Sequence, residues 1–252
     1  MTEILADPVE EARRILDAAS AGRVELRAIG GIGVALRAPS IHRLQPSRRY
    51  HDLDLVGRAP RAPIETLLSS LGYEPSRRFN TLNGAERLLF HDPDGRRVDV
   101  FLDTLRMCHT LPFARRLTID ADTLPLADLA LTKLQIVELT ERDAQDLAAL
   151  LADHPLTDDE AGIAVPRVAA ITSADWGWWR TVTGNLTALV ERWQSGRDTG
   201  HGDDHSTVLG TAAARATELS RRLHAVPKSL RWRARAGIGD RLIWYDEPEE
   251  VR

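Results

Sequence analysis

At 252 residues, with 43% hydrophobic and 28% charged side chains, the chain is long enough for one large or two small domains with a buried core, and its composition is that of a globular protein. Its single cysteine, Cys108, excludes an intramolecular disulfide framework and fits a reducing compartment with a buried, inert thiol. A net charge of −4 argues against non-specific coating of nucleic acid, and no apolar run approaches the roughly 20 residues that cross a bilayer, so the expectation is a cytoplasmic protein without a membrane partner.

In chain order, Asp7-Pro8 predicts a helix with Asp7 as N-cap and Pro8 at its first position, running through Ile15 and Leu16 to Gly22 beside a strand over Val24 to Ile29. That strand ends in Gly30-Gly31, read as a tight turn into a helix from Ile32 to Leu36, where bare backbone N–H groups suit a phosphate. Pro39 and Pro46 bracket an irregular connection. In His51-Asp52-Leu53-Asp54-Leu55-Val56, two carboxylates at i and i+2 on a strand point one way. They are most easily tolerated around a hard divalent cation such as Mg²⁺. Pro63 opens a short helix from Ile64 to Leu71. Arg78 to Leu82 and Glu86 to His91 are expected as two strands around Asn83-Gly84, and Asp92-Pro93-Asp94-Gly95 as a second turn delivering a strand over Arg97 to Leu102. That strand carries a third acid, Asp99, which meets the Asp-x-Asp strand if the two are neighbours. The competing account of all three acids is pairing with Arg48, Arg49 and Arg97.

From Pro125 the spacing turns helical, with Leu126 to Leu139 and Asp143 to Leu151 separated by a break at Thr140 or Glu141. Lys133 lies among apolar residues, and on spacing alone its stem would cover apolar surface with its head in water. Pro166 opens a further helix, and Ser173 is expected to cap a long segment through Gln194. Trp176, Trp178 and Trp179 in that segment cannot all face one way, so they are read as packing residues, as is Trp193. Ser195 to Ser206 reads as a polar linker rather than a metal site, although it holds His201, Asp203, Asp204 and His205. A final helix from Thr207 to Ala225 ends before Pro227. Arg215 to Arg241 carries eight basic against two acidic residues, which reads either as a solvated face or as a surface for a polyanion with Trp232 as a stacking platform.

A Gly-Gly turn after a strand, an Asp-x-Asp strand and a lone Asp on a later strand together resemble the nucleotidyltransferase superfamily with the polymerase-β-like fold. Lys133 in Ala127-Asp128-Leu129-Ala130-Leu131-Thr132-Lys133-Leu134, and Arg142-Asp143-Ala144-Gln145-Asp146-Leu147, are similar to the Lys helix and Arg-Asp-x-x-Asp-Leu segment of AbiEii-type, toxin-like nucleotidyltransferases. The resemblance spans roughly residues 24 to 151. It implies an α+β fold, a nucleotidyltransferase-like mixed sheet flanked by helices over residues 1–125, followed by a helical C-terminal domain over 126–252 that completes a nucleotide cleft. It also implies an enzyme that moves an NMP from an NTP, ATP among the candidates, to an acceptor hydroxyl with Mg²⁺ or Mn²⁺. Asp52, Asp54 and Asp99 would be catalytic and hold the metal, while Gly30, Gly31, Arg48, Lys133, Asp143 and Asp146 would bind the nucleotide. The acceptor stays open between an RNA, such as a tRNA 3′ end in a toxin–antitoxin system with its antitoxin protein, and a small antibiotic. A nucleotide-binding module without turnover is the other alternative.

Overall fold

The computed structural model describes residues 4–196 and 203–247. They form two compact units, a first made of residues up to Arg37, Ser47–Leu105 and Leu111–Pro125, and a second made of Ala38–Pro46, Arg106–Thr110 and the chain from Leu126 onward. No helix among the described residues is long and apolar enough to cross a membrane.

Helix α1 (Pro8–Ala21) starts where Asp7 Oδ1 accepts the N–H groups of Val9 and Glu10, at 2.8 and 3.0 Å. It leads into β1 (Leu26–Ala28), α2 (Gly30–Arg37), α3 (Ile41–Leu44) and β2 (Leu53–Gly57). The short helix α3, which belongs to the second unit, stands in the connection expected to be irregular. Then come α4 (Ala62–Ser70), β3 (Glu74–Pro75), α5 (Arg77–Asn83), β4 (Arg87–His91), β5 (Arg97–Leu102), β6 (Thr104–Arg106) and β7 (Thr110–Pro112).

Five strands of the first unit make one mixed sheet in the order β1-β2-β5-β4-β3, in which only β2 and β5 run parallel. Alternation divides it into two unlike faces. Leu26, Ala28, Leu53, Leu55, Leu88, Phe90, Val98 and Val100 share one face and pack with Ala12, Ile15 and Leu16 of α1 and Ile64 and Leu68 of α4. The other face carries Arg27, Asp54, Arg87, Arg97 and Asp99.

The strand expected over Arg78–Leu82 is instead α5, a correction with a visible cause. Asn80 turns its carbonyl to the Gly84 N–H at 3.1 Å and its side-chain Oδ1 to the Leu89 N–H at 2.8 Å, so Asn83-Gly84 ends a helix instead of turning a hairpin. A Cβ on Gly84 would lie 2.2 Å from that carbonyl, which explains the glycine. The second turn is as expected: Asp92 Oδ1 accepts the N–H groups of Asp94 and Arg96, at 2.9 and 2.8 Å, and joins antiparallel β4 and β5.

The second unit is helical, with α6 (Leu126–Leu134), α7 (Glu141–Asp153), β8 (Leu156–Thr157), β9 (Ile163–Ala164), α8 (Val165–Ala174), α9 (Trp176–Gly196), α10 (Asp203–Ala225) and α11 (Leu230–Ala236). Helix α6 stops five residues short of the expected Leu139 because Asn185 of α9 donates to the carbonyls of Leu134 and Ile136, at 2.9 and 2.8 Å, and takes the acceptors that another turn would use. Asp175, not Ser173, starts the long helix: its backbone is extended and its Oδ1 accepts the Trp178 N–H at 3.0 Å. Trp176, Trp178 and Trp193 are buried, in line with their reading as packing residues, and Cys108 is a buried free thiol. The linker expected over Ser195–Ser206 is already helical at Asp203, and His201 lies outside the described residues.

Candidate active site

Three of the expected acids lie on or beside the charged face of the sheet. Asp54 of β2 and Asp99 of β5 are direct partners in the parallel ladder, so their carboxylates leave the sheet on the same side as neighbours. Asp52 stands just before β2, and its side chain is 47% exposed, against 0% for Asp99. The acids thus run from solvent to full burial across two adjacent strands.

Each meets the backbone or an arginine. Gly30 has a φ of +61°, and a Cβ there would fall 2.4 Å from Asp54 Oδ2, so the Asp54 carboxylate rests against bare glycine backbone. A Cβ on Gly31 would lie 2.4 Å from an Arg48 guanidinium nitrogen, and Arg48 itself stacks 4.9 Å over the Tyr50 ring. Gly30, Gly31, Arg48 and Asp54 therefore gather at the turn from β1 into α2, where the first N–H groups of the helix have no intrahelical acceptor. Asp99 Oδ1 accepts from Arg87 Nε at 2.7 Å, and Arg87 lies over the Phe101 ring at 4.8 Å. Arg97 Nε comes within 2.9 Å of Asp99 Oδ2, yet its N–H direction misses, so the two atoms are in Coulomb contact while neither makes a hydrogen bond. Arg97 also lies 3.8 Å from Asp52. Among the described residues no group of three or more His, Cys, Asp and Glu side chains comes together in a metal-binding arrangement.

Lys133, Asp143 and Asp146 form a second cluster, in the second unit. The Lys133 ammonium lies 2.8 Å from Asp143 and 3.1 Å from Asp146, with side-chain exposures of 13%, 11% and 0% for the three residues. Its head is engaged by two carboxylates instead of by water. Burial pushes the Lys133 pKa down, but Asp146 and Asp143 outweigh that and hold it above the ordinary lysine value. Burial likewise pushes Asp143 up, and the charge and hydrogen bond of Lys133, with the bonds from Thr140, bring it below the usual carboxylate range. Thr140 and Asp143 cap α7 reciprocally, which places the acid one turn from Asp146 on the same helix face.

The basic segment is largely spent on structure. Arg215 donates to the carbonyls of Leu151, Ala152 and His154, Arg235 to those of Gly239 and Leu242, and Arg241 to those of Gly237 and Ile238. Trp232 meets Trp179 edge to face at 5.2 Å with its indole nitrogen buried, so it is a packing residue. Arg87 is the residue the sequence reading missed, and its signal is a basic side chain two positions before Leu89, the strand position that pairs with Asp99.

No family model and no curated protein matches the sequence. Among solved structures the chain is similar to a Helicobacter pylori protein, described as "Crystal structure of JHP933 from Helicobacter pylori", at 12% identity and a TM-score of 0.38, over 87% of this chain and 95% of that one.

Proposed function

We propose that the chain is a nucleotidyltransferase that uses Mg²⁺ or Mn²⁺ to move an NMP from an NTP to an acceptor hydroxyl, with an RNA end such as that of a tRNA as acceptor. The observation that carries this reading is the direct pairing of Asp54 with Asp99 on parallel strands, beside a glycine turn whose backbone the Asp54 carboxylate touches. The donor set suits a hard cation: Asp52 and Asp54 offer carboxylate oxygens, and the fully buried Asp99 Oδ2 lacks a hydrogen bond. Asp52 and Asp54 would hold the ion with Asp99 beside them, and a bound ion would supply neutralisation of the triphosphate and of the charge developing at the reacting phosphorus. The turn at Gly30 and Gly31, with Arg48 over it, would orient phosphate oxygens. Asp99, locked between Arg87 and Arg97, would position the acceptor hydroxyl.

A second reading, a nucleotide-binding module without turnover, is favoured by the same two arginines, which already balance Asp99, and by the absence of a three-ligand group among the described residues. Incubation with each labelled NTP, Mg²⁺ and total RNA separates the two. The parent should yield labelled RNA, and Asp54→Asn should abolish the label while keeping the parent's circular dichroism. Metal-independent nucleotide binding with no labelled product would support the module instead.

A further inference from the structure

Within the second unit, residues 108–110, the junction of α8 and α9, α11 and residues 243–246 enclose a cleft of about 600 Å³. Small-ligand pockets commonly measure about 300–1,000 Å³. Its aromatic walls are fixed in advance. Trp244 Nε1 donates to Thr181 Oγ1 at 3.0 Å, and the same oxygen lies 2.9 Å from His109 Nε2. His109 stacks on Trp178 at 4.9 Å, and Trp176 meets Trp244 edge to face at 6.0 Å. The Asp246 N–H donates to the Cys108 carbonyl at 3.0 Å, and a Cβ on Gly177 would lie 2.5 Å from the Trp244 carbonyl oxygen, so the C-terminal segment is seated on bare backbone.

Three side chains of this cleft hold unused polar capacity. Arg231 is exposed and makes no hydrogen bond or ion pair among the described residues, and the same is true of the Tyr245 hydroxyl and the Asp246 carboxylate. A cation, an acid and a half-buried aromatic ring together suit a ligand with an anionic group, a donor-bearing edge and a flat ring. A simple polyanion would be repelled by Asp246, and a neutral apolar ligand would leave Arg231 unused. Burial, only partly countered by Asp175 and Asp246, holds the His109 pKa below the ordinary histidine value, so this imidazole adds no positive charge to the cleft near pH 7.

We propose that this cleft binds a single nucleotide, with its base against Tyr245 and Trp244, its phosphate on Arg231 and an amino group of the base on Asp246. The cleft is built wholly from residues of the second unit, and the proposal does not depend on the catalytic reading of the acids in the first. Either a free nucleoside monophosphate or the unpaired terminal nucleotide of an RNA presents this chemistry. The test is the intrinsic tryptophan fluorescence of the full chain in EDTA, where metal-dependent triphosphate binding is silent. AMP, GMP, CMP, UMP and a short single-stranded oligoribonucleotide would be titrated in turn, with adenosine and inorganic phosphate as controls. At least one nucleotide or the oligonucleotide should give a saturable change, and Arg231→Glu should weaken it about tenfold or more, the loss expected for one charge-assisted contact. Tyr245→Ala should weaken it also. A much tighter oligonucleotide than any free nucleotide assigns the site to an RNA end, and equal affinities assign it to the free nucleotide. No saturable change, an Arg231→Glu variant that binds as the parent does, or phosphate alone competing as well as AMP would overturn the proposal.

Discussion

Gly30 and Gly31 are adjacent and chemically identical, yet the structure asks different things of them. Gly30 has a positive φ, which costs an L-residue about 1–2 kcal/mol, and its missing Cβ is the space that an Asp54 carboxylate oxygen occupies. Gly31 faces the tip of the flexible Arg48 side chain, which can withdraw. Gly30→Ala should therefore lower stability by at least about 1 kcal/mol in urea unfolding and disturb Asp54, whereas Gly31→Ala should cost clearly less. Equal costs would show that the Asp54 contact is unimportant. The glycine pair and the three acids were legible in the sequence because spacing and alternation determine which way a strand residue points. Of the two arginine partners of Asp99, Arg97 was legible from its nearness in sequence, whereas Arg87 was not, because only register tells which basic residue of β4 reaches the acid.

At the scale of elements, α6 and α7 are joined by buried charge. Removing one member of a buried ion cluster leaves its partners uncompensated, at a cost of about 3–5 kcal/mol. Lys133→Ala should destabilise the protein by that order, read from denaturant midpoints. The pH dependence gives a sharper check. In the parent, the depressed Asp143 contributes stability that is fully present above its unfolded value near about 3.9 and is lost as pH falls through the lower folded value. The raised Lys133 contributes below about 10.4 and loses that contribution as pH rises through its folded value. The parent should thus weaken on acidification below about pH 4. Lys133→Ala, with a buried carboxylate and no cation, should gain stability as pH falls from 7 toward 4. The break before α7 was legible at Thr140 or Glu141, and the structure starts the helix at Glu141 with Thr140 as its cap. The end of α6 and the helix at α5 were not legible, because each is decided by a partner distant along the chain: Asn185 for the first and the Leu89 N–H for the second.

On the scale of the whole molecule, the excess of positive charge between Arg215 and Arg241 overstates what is free to bind. Arg215, Arg235 and Arg241 close helix ends or clamp turns, Arg221 and Arg222 pair with Glu218 and Asp158, and Arg231 and Arg233 remain the exposed pair on α11. If RNA is the acceptor, Arg231→Gln with Arg233→Gln should lower its affinity and reduce the slope of log affinity against log salt by about 1.4, two single-strand phosphate contacts. An unchanged slope would point away from this segment. The two-faced sheet of the first unit has a further consequence for how the chain finds its fold. A slip of β5 by one residue against β2 would turn Arg97 and Asp99 into the layer of Leu53, Leu55 and Val100's present neighbours, and expose Val98 and Val100 on the charged side. Such a mispaired sheet would bury ionised groups among hydrocarbon, so the charges that form the candidate site also act as a proofreading device for strand register during folding.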